Sequence, residues 1–275
     1  MVGGAPPAVA GRRASDPAVT TTGRNRLYAE AGLDLLVDGP VATIVLNRPE
    51  QLNAQTPQMW GALREIGKSL DQAVRVVLVR ANGRAFSAGL DRELLRPGGI
   101  GALASLTDER ADAQIRDYQA GFTWLHRPDI VSVAAVQGHA IGAGFQLALA
   151  CDLRVLADDA QLCMAETSLG IVPDLTGSKP LVDAVGFSRA LEICLTGRRV
   201  GADEASRLGL ATLVVARAEL ESATADLVAA LLASPAGAVR ETKALLSGAG
   251  DRDHSEQEGS ERAAQIRRLR ALFGS

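Results

Sequence analysis

The sequence predicts an α/β fold built on a largely parallel sheet. Three observations carry this: aliphatic runs of strand length alternate with segments of helical periodicity, the connections between them are long enough for crossover helices, and 275 residues with 47% hydrophobic and 22% charged content suffice for one sizeable core. Buried aliphatic strands joined through helices are expected in a sheet covered on both faces.

Residues 33–37 and 41–46 are short aliphatic runs around Asp38-Gly39-Pro40, a strand–turn–strand signal, so a hairpin opens the domain. Residues 57–70 repeat Met59, Trp60, Leu63, Ile66 and Leu70 at helical spacing, and the run 74–79 after them reads as a buried strand. A second unit of this kind has a helix over 113–125, a strand over 130–136 and a helix over 143–150, with a further strand over 153–157. After Pro180 the chain turns helical, over 181–185, 189–195, 202–208, 219–233, 236–246 and 255–272. In the last of these Ile266, Leu269 and Leu272 share a face among Arg267, Arg268 and Arg270, which fits a solvated charged helix or an oligomer contact. The expected organisation is an N-terminal extension over 1–26, a core over 27–200 and a helical region over 201–275. The extension is rich in Gly, Ala, Pro, Ser and Thr, carries Arg12, Arg13, Arg24 and Arg26 against Asp16, and has no apolar h-region; it reads as a disordered tail or an Arg-rich targeting peptide.

Charge and composition narrow the partners. Acidic residues number 32 against 29 basic, for a net charge of −3, and aromatics are 3% of the chain. No overall basic field is expected to hold nucleic acid or an anionic membrane, and few rings exist to stack bases. The longest apolar stretch, 130–156, is broken by Gln137, Gly138, His139, Gln146 and Asp152, so no membrane helix is expected. Cys151, Cys163 and Cys194 lie in apolar surroundings without CxxC spacing and read as reduced core residues of a cytoplasmic protein.

The phosphate-loop, zincin and serine-hydrolase signatures GxxxxGK[ST], HExxH and GxSxG do not occur. Gly99-Ile100-Gly101-Ala102-Leu103-Ala104 matches a loose GxGxxA but follows Pro97-Gly98 rather than a strand, and reads as a flexible loop. Two small-residue turns are more informative, because each follows a buried strand: Ala85-Phe86-Ser87-Ala88-Gly89-Leu90-Asp91 and Gln137-Gly138-His139-Ala140-Ile141-Gly142-Ala143-Gly144. Such turns either pack tightly or expose N–H groups, and two facing each other could form an oxyanion hole.

At these residues the chain resembles the crotonase (enoyl-CoA hydratase/isomerase) superfamily. The resemblance covers about residues 30–270 and includes Asn47-Arg48-Pro49 with Asn53-Ala54, Phe86-Ser87-Ala88-Gly89-Leu90-Asp91, and Val133 to Gly138 running on through Gly142-Ala143-Gly144. It continues in Ala150-Cys151-Asp152-Leu153-Arg154, Glu166 with Leu169-Gly170 and Pro173, and Leu195-Thr196-Gly197-Arg198 before Ala202, Glu204 and Ala205. The resemblance implies a ClpP/crotonase-like spiral of ββα units with a C-terminal helical trimerisation region, assembled as a homotrimer or a dimer of trimers. It implies an acyl-CoA partner whose thioester enolate is stabilised, with no metal or redox cofactor, coenzyme A being part of the substrate.

Carried over by position, the oxyanion donors are the N–H groups of Leu90 and Ala143, flanked by Gly89 and Gly142. Ala54, Ala88 and Asp91 fall where family members line the CoA and acyl groove, and Lys243 is either a CoA-phosphate contact or a solvated helix lysine. The departures bear on the reaction. Hydratases of the family hold a water with two glutamates; the first position is Gln146 here, and an amide cannot take a proton at neutral pH. The second is Glu166, present either as a proton shuttle or as a structural carboxylate. Asp174 follows Pro173 where hydratases commonly carry glycine and dienoyl-CoA isomerases a carboxylate; an Asp there can also cap a turn. One carboxylate suffices for a 1,3 proton shift, so double-bond isomerisation is the favoured reading, with enoyl-CoA hydratase or a non-catalytic acyl-CoA binding protein as alternatives.

Overall fold

The computed structural model describes residues 21–96 and 98–274. Helix α1 (Thr21–Glu30) precedes the hairpin β1 (Leu33–Asp38) and β2 (Val41–Leu46), followed by α2 (Pro57–Ser69), β3 (Val76–Ala81) and α3 (Asp108–Thr123). Then come β4 (Val131–Val136), β5 (His139–Ile141), α4 (Ala143–Leu149), β6 (Leu153–Ala157) and β7 (Gln161–Cys163). The remainder comprises α5 (Ser178–Val185), α6 (Phe187–Thr196), β8 (Val200–Gly201), α7 (Ala202–Arg207), β9 (Leu213–Val215), α8 (Leu220–Ala233), α9 (Ala236–Ser247) and α10 (His254–Phe273).

Six strands form one sheet in the order β1-β2-β3-β4-β6-β9, antiparallel between β1 and β2 and parallel elsewhere. A second, three-stranded sheet has the order β5-β7-β8. The chain spirals between the two layers. It leaves β4 for β5 and β6 for β7, and after β3 the segment at Ser87 pairs with Ala140 of β5 in the same layer. Alternation along the strands divides the core: Val77, Val79, Ala134 and Val136 face the main cluster with α2 and α4, whereas Val76, Val133 and Val155 face Val228 of α8. α2 starts at Thr56, whose side chain accepts from the Met59 N–H, with Pro57 at its first position.

Several expectations are corrected. The 1–26 extension lies mostly outside the described residues, but residues 21–26 belong to α1, which is anchored by buried Tyr28 with its hydroxyl 3.3 Å from Ser69 Oγ. The Gly99–Ala104 stretch is not a bare loop: Ile100–Ser105 is a 3-10 helix. The short strands β5, β7, β8 and β9 were not anticipated, because two or three residues carry no readable period. Among the described residues no single helix is long and apolar enough to cross a membrane. Cys151 and Cys163 are buried and all three cysteines are free; burial pushes the Cys151 thiol up to about 12.

Lys243 is also corrected. Its Nζ donates to the Arg127 and Ile130 carbonyls at 2.8 Å each and to Asp152 Oδ2 at 2.7 Å, which uses all three ammonium protons at the start of β4. It is neither a solvated helix lysine nor available to a CoA phosphate. Asp152 further accepts from the Ser132 N–H and hydroxyl. Burial raises the Asp152 carboxyl, but His126 and Lys243 more than offset this and hold its pKa below the ordinary value. The stabilisation is therefore present above the ordinary carboxylate range and lost as pH falls through the depressed folded value. Lys243→Met is expected to cost about 3 kcal/mol at neutral pH, by taking the ammonium from a largely buried carboxylate, with the gap to the unsubstituted protein narrowing in acid. Urea denaturation across pH checks both.

Candidate active site

Two backbone segments meet at the ends of β3 and β4. On one side, the Phe86 N–H donates to the Gln137 carbonyl, Ser87 N–H to His139 and Ile141 N–H to Ser87, at 2.8, 2.8 and 3.0 Å. On the other side, Ala88 N–H donates to the Leu52 carbonyl, Gln55 N–H to Gly89 at 2.7 Å and Asp91 N–H to Gln55 at 2.9 Å. Because the Gly89 carbonyl and Asp91 N–H face Gln55, the Leu90 N–H points to the opposite side, where it has no acceptor among the described residues. Ala143 opens α4, and an N–H at that first position has no intrahelical acceptor. Both N–H groups belong to residues of one cavity wall.

Glycine is required where these segments touch. A Cβ on Gly89, at φ +87°, would collide with the Ile141 carbonyl. Gly142 sits at φ +51° and ψ −120°, and a Cβ there would come 3.1 Å from Glu166 Oε1. The cavity so framed has a volume of about 550 Å³. Its wall is mainly aliphatic, from Ile100, Leu103, Ile115, Leu169, Ile171 and Val172, with the Trp60 indole as its aromatic member.

Two carboxylates enter this apolar space. Glu166 begins the 3-10 turn Glu166–Leu169 after β7 and is 5% exposed. Its Oε1 accepts from Gln146 Nε2 at 2.6 Å, whereas its buried Oε2 has no hydrogen-bond partner. Burial raises the Glu166 pKa; hydrogen bonds from backbone and Gln146 oppose this, and the charge of Asp174 adds to it. Asp174 is raised by its own burial, and Gln119 Nε2 donates to its backbone carbonyl at 2.8 Å, tying the loop to α3.

Gln146 does more than touch Glu166. Its Oε1 accepts from the Leu175 N–H at 2.9 Å and the Gly177 N–H at 3.2 Å. The residue between them, Thr176, has φ +70°, a conformation that a β-branched side chain adopts only when its surroundings impose it. The two bonds to Gln146 supply that imposition. They also fix which end of the amide is oxygen, so the NH₂ must face Glu166.

Of the sequence-derived site residues, Ala88, Gly89, Leu90, Gly142, Ala143, Gln146, Glu166 and Asp174 line one cavity. Ala54 and Asp91 are not among its lining residues. Arg48 joins them instead, donating from Nη1 to the Ala54 carbonyl at 2.6 Å and from Nη2 to Asp91 Oδ2 at 3.0 Å, so they brace the turn. Lys243 lies at the start of β4, as described above. Trp60, Ile100, Leu103 and Ile115 were not anticipated as wall residues; the helical spacing that marks Trp60 as core is silent on which void the ring borders.

The sequence model of the enoyl-CoA hydratase/isomerase family matches residues 37–270. A probable enoyl-CoA hydratase of Mycobacterium leprae is 38% identical over 66% of this chain and 68% of its own length. A peroxisomal Δ(3,5)-Δ(2,4)-dienoyl-CoA isomerase of Arabidopsis thaliana is 31% identical over 76% of this chain and 78% of its own. Among solved structures, a protein of Thermobifida fusca YX described as an enoyl-CoA hydratase, in complex with CoA, is 52% identical and superimposes with a TM-score of 0.88 over 91% of this chain and 98% of its own. Its complex with acetoacetyl-CoA gives 51% and 0.87, over 92% and 99%. With a continuous match across both sheets and into α10, the chain belongs to the enoyl-CoA hydratase/isomerase family and is a crotonase-fold enzyme of the hydratase/isomerase type.

Proposed function

We propose that the enzyme shifts a carbon–carbon double bond in a fatty enoyl-CoA thioester, with Glu166 as the proton shuttle. The observation that carries this reading is the locked Gln146 amide. Its nitrogen lies 2.6 Å from one Glu166 oxygen, where a second carboxylate and a shared water would be needed for hydration, and the other Glu166 oxygen is left free. CoA and acetoacetyl-CoA in the Thermobifida fusca complexes support an acyl-CoA ligand.

The thioester carbonyl accepts hydrogen bonds from the Leu90 and Ala143 N–H groups, which stabilise the negative charge that develops on its oxygen. One such donor is typically worth about 3 to 4 kcal/mol in the transition state. Glu166 Oε2 removes a proton from C2 or C4, the electron pair delocalises through the dienolate onto the thioester oxygen, and the same carboxyl returns the proton to the other carbon. The double bond moves and the enzyme is regenerated without a change of oxidation state. The proposal therefore calls for no metal or redox cofactor. Asp174 supplies a second acid/base group when the double bond to be moved lies further along the chain. Exposed Phe187, Leu191 and Leu195 along α6 fit assembly into a homotrimer or a dimer of trimers.

The test supplies the purified enzyme with 3-enoyl-CoA, 3,5-dienoyl-CoA and 2-enoyl-CoA. Isomerisation is expected to dominate, and Glu166→Gln to lower it about 10²- to 10⁴-fold while acyl-CoA still binds. Fast hydration of 2-enoyl-CoA that survives Glu166→Gln would overturn the assignment, and tight binding without turnover or C2 deuterium exchange would favour a non-catalytic binder. Because burial raises the Glu166 pKa, ionising it costs stability as pH rises through the folded value, so Glu166→Gln is expected to raise Tm at neutral pH. The shuttle must be ionised to accept a proton. The acid limb of kcat/KM is thus expected above the ordinary glutamate value of 4.5, and a pH–rate profile with a lower limb would remove Glu166 from that role.

A further inference from the structure

We infer that Gln55 is a positioning residue that holds the two N–H donors of the proposed oxyanion hole at a fixed separation, and that Trp60 ties this arrangement to the wall of the acyl cavity; this rests on the oxyanion reading above. Gln55 is fully buried. Its backbone brackets Leu90, donating to the Gly89 carbonyl at 2.7 Å and accepting from the Asp91 N–H at 2.9 Å. Its side chain reaches the other donor's residue, with Nε2 3.3 Å from the Ala143 carbonyl oxygen and 3.2 Å from Ser87 Oγ. One residue thus contacts both segments whose N–H groups must converge.

The remaining bonds leave the amide a single orientation. Trp60 Nε1–H donates to Gln55 Oε1 at 2.9 Å, so the NH₂ is directed at Ser87 and Ala143. Ser87 Oγ donates to the Asn53 carbonyl at 2.8 Å and accepts from the Gly89 N–H at 3.2 Å, which binds the Ala88–Gly89 peptide, one peptide unit ahead of the Leu90 N–H, to the same cluster. A leucine of similar size would fill the volume without burying an amide, so the amide's contribution is geometric rather than a gain in burial. Trp60 adds a second connection. Its indole lines the cavity and is packed by Tyr118 and Phe122, with ring centroids 5.0 and 6.3 Å away, while its N–H is pinned to Gln55. An acyl chain lying on the ring is therefore one hydrogen bond from the group that spaces the donors.

The experiment uses the full chain with two readouts: steady-state kinetics on 3-enoyl-CoA, and the carbonyl stretch of bound, carbonyl-labelled acetoacetyl-CoA by isotope-edited infrared spectroscopy. Gln55→Leu is expected to lower kcat about 10- to 100-fold through misplacement of the donors, with KM little changed and a smaller red shift of the carbonyl band. Trp60→Phe keeps the ring and is expected to act in the same direction with smaller amplitude. A folded Gln55→Leu enzyme with the original kcat and carbonyl band overturns the inference, as does loss of Tm alone. Should Gln55→Leu not fold, an unchanged kcat and band in Trp60→Phe overturns it. A carbonyl band that the unsubstituted enzyme leaves at its position in water removes the oxyanion hole itself and this inference with it, whereas a red shift that persists in Glu166→Gln but shrinks in Gln55→Leu separates donor placement from proton transfer.

Discussion

The approach of Gly89 to the Ile141 carbonyl is the contact on which the rest of the site depends. Two turns, one following β3 and the other following β4, must pack backbone to backbone for the Leu90 and Ala143 N–H groups to share a wall, and any side chain at position 89 would force them apart. The parallel pairing of β3 with β4 brings the turns to the same end of the sheet, and the Ser87–Ala140 bridge fixes their register. The large sheet is thus a frame that sets the spacing, and the second layer is where that spacing becomes a site.

Around this contact the backbone is held in conformations it would not choose alone. Leu52 and Asn53 lie at φ +51° and +55°, Thr176 at +70°, and each is bound by polar groups of the site. The Asn53 side chain accepts from the Arg48 N–H and donates to the Asn82 and Ala85 carbonyls, and Gln146 accepts from both sides of Thr176. Strain of about 1–3 kcal/mol per residue persists only when several interactions determine it together. Glu166 belongs with these features, since a buried oxygen without a hydrogen-bond partner in an apolar cavity opposes ionisation of its own carboxyl.

Much of this was legible along the chain. The hairpin, α2 and β4 were readable because period and turn chemistry are local, and the family motifs singled out Glu166, Gln146 and Asp174, which line one cavity. Legibility failed where the meaning of a residue is set by distant partners. Lys243 carries no local mark of its three acceptors, which come from 127, 130 and 152. Gln55 stands immediately before the Thr56-Pro57 helix start, where a polar residue is unremarked, so nothing nearby in sequence announces its complete burial. The strands of the second layer were invisible because they are two or three residues long.

The doubly bonded oxygen of Gln146 also constrains what this chain can become. A glutamine codon is one nucleotide from a glutamate codon, so a two-glutamate pocket lies a single step away in sequence. In structure it does not. A carboxylate at 146 would keep its bonds to the Leu175 and Gly177 N–H groups but lose the side-chain donor to Glu166 Oε1, and it would place a new negative charge against two carboxyls whose pKa values are already raised. A second acid there would have to be held protonated, because the loop would accept it but the neighbouring carboxyls oppose a further negative charge. The barrier to that one-nucleotide change is thus charge rather than shape: the loop's N–H groups would bond either side chain, and the amide, unlike a carboxylate, also donates to Glu166.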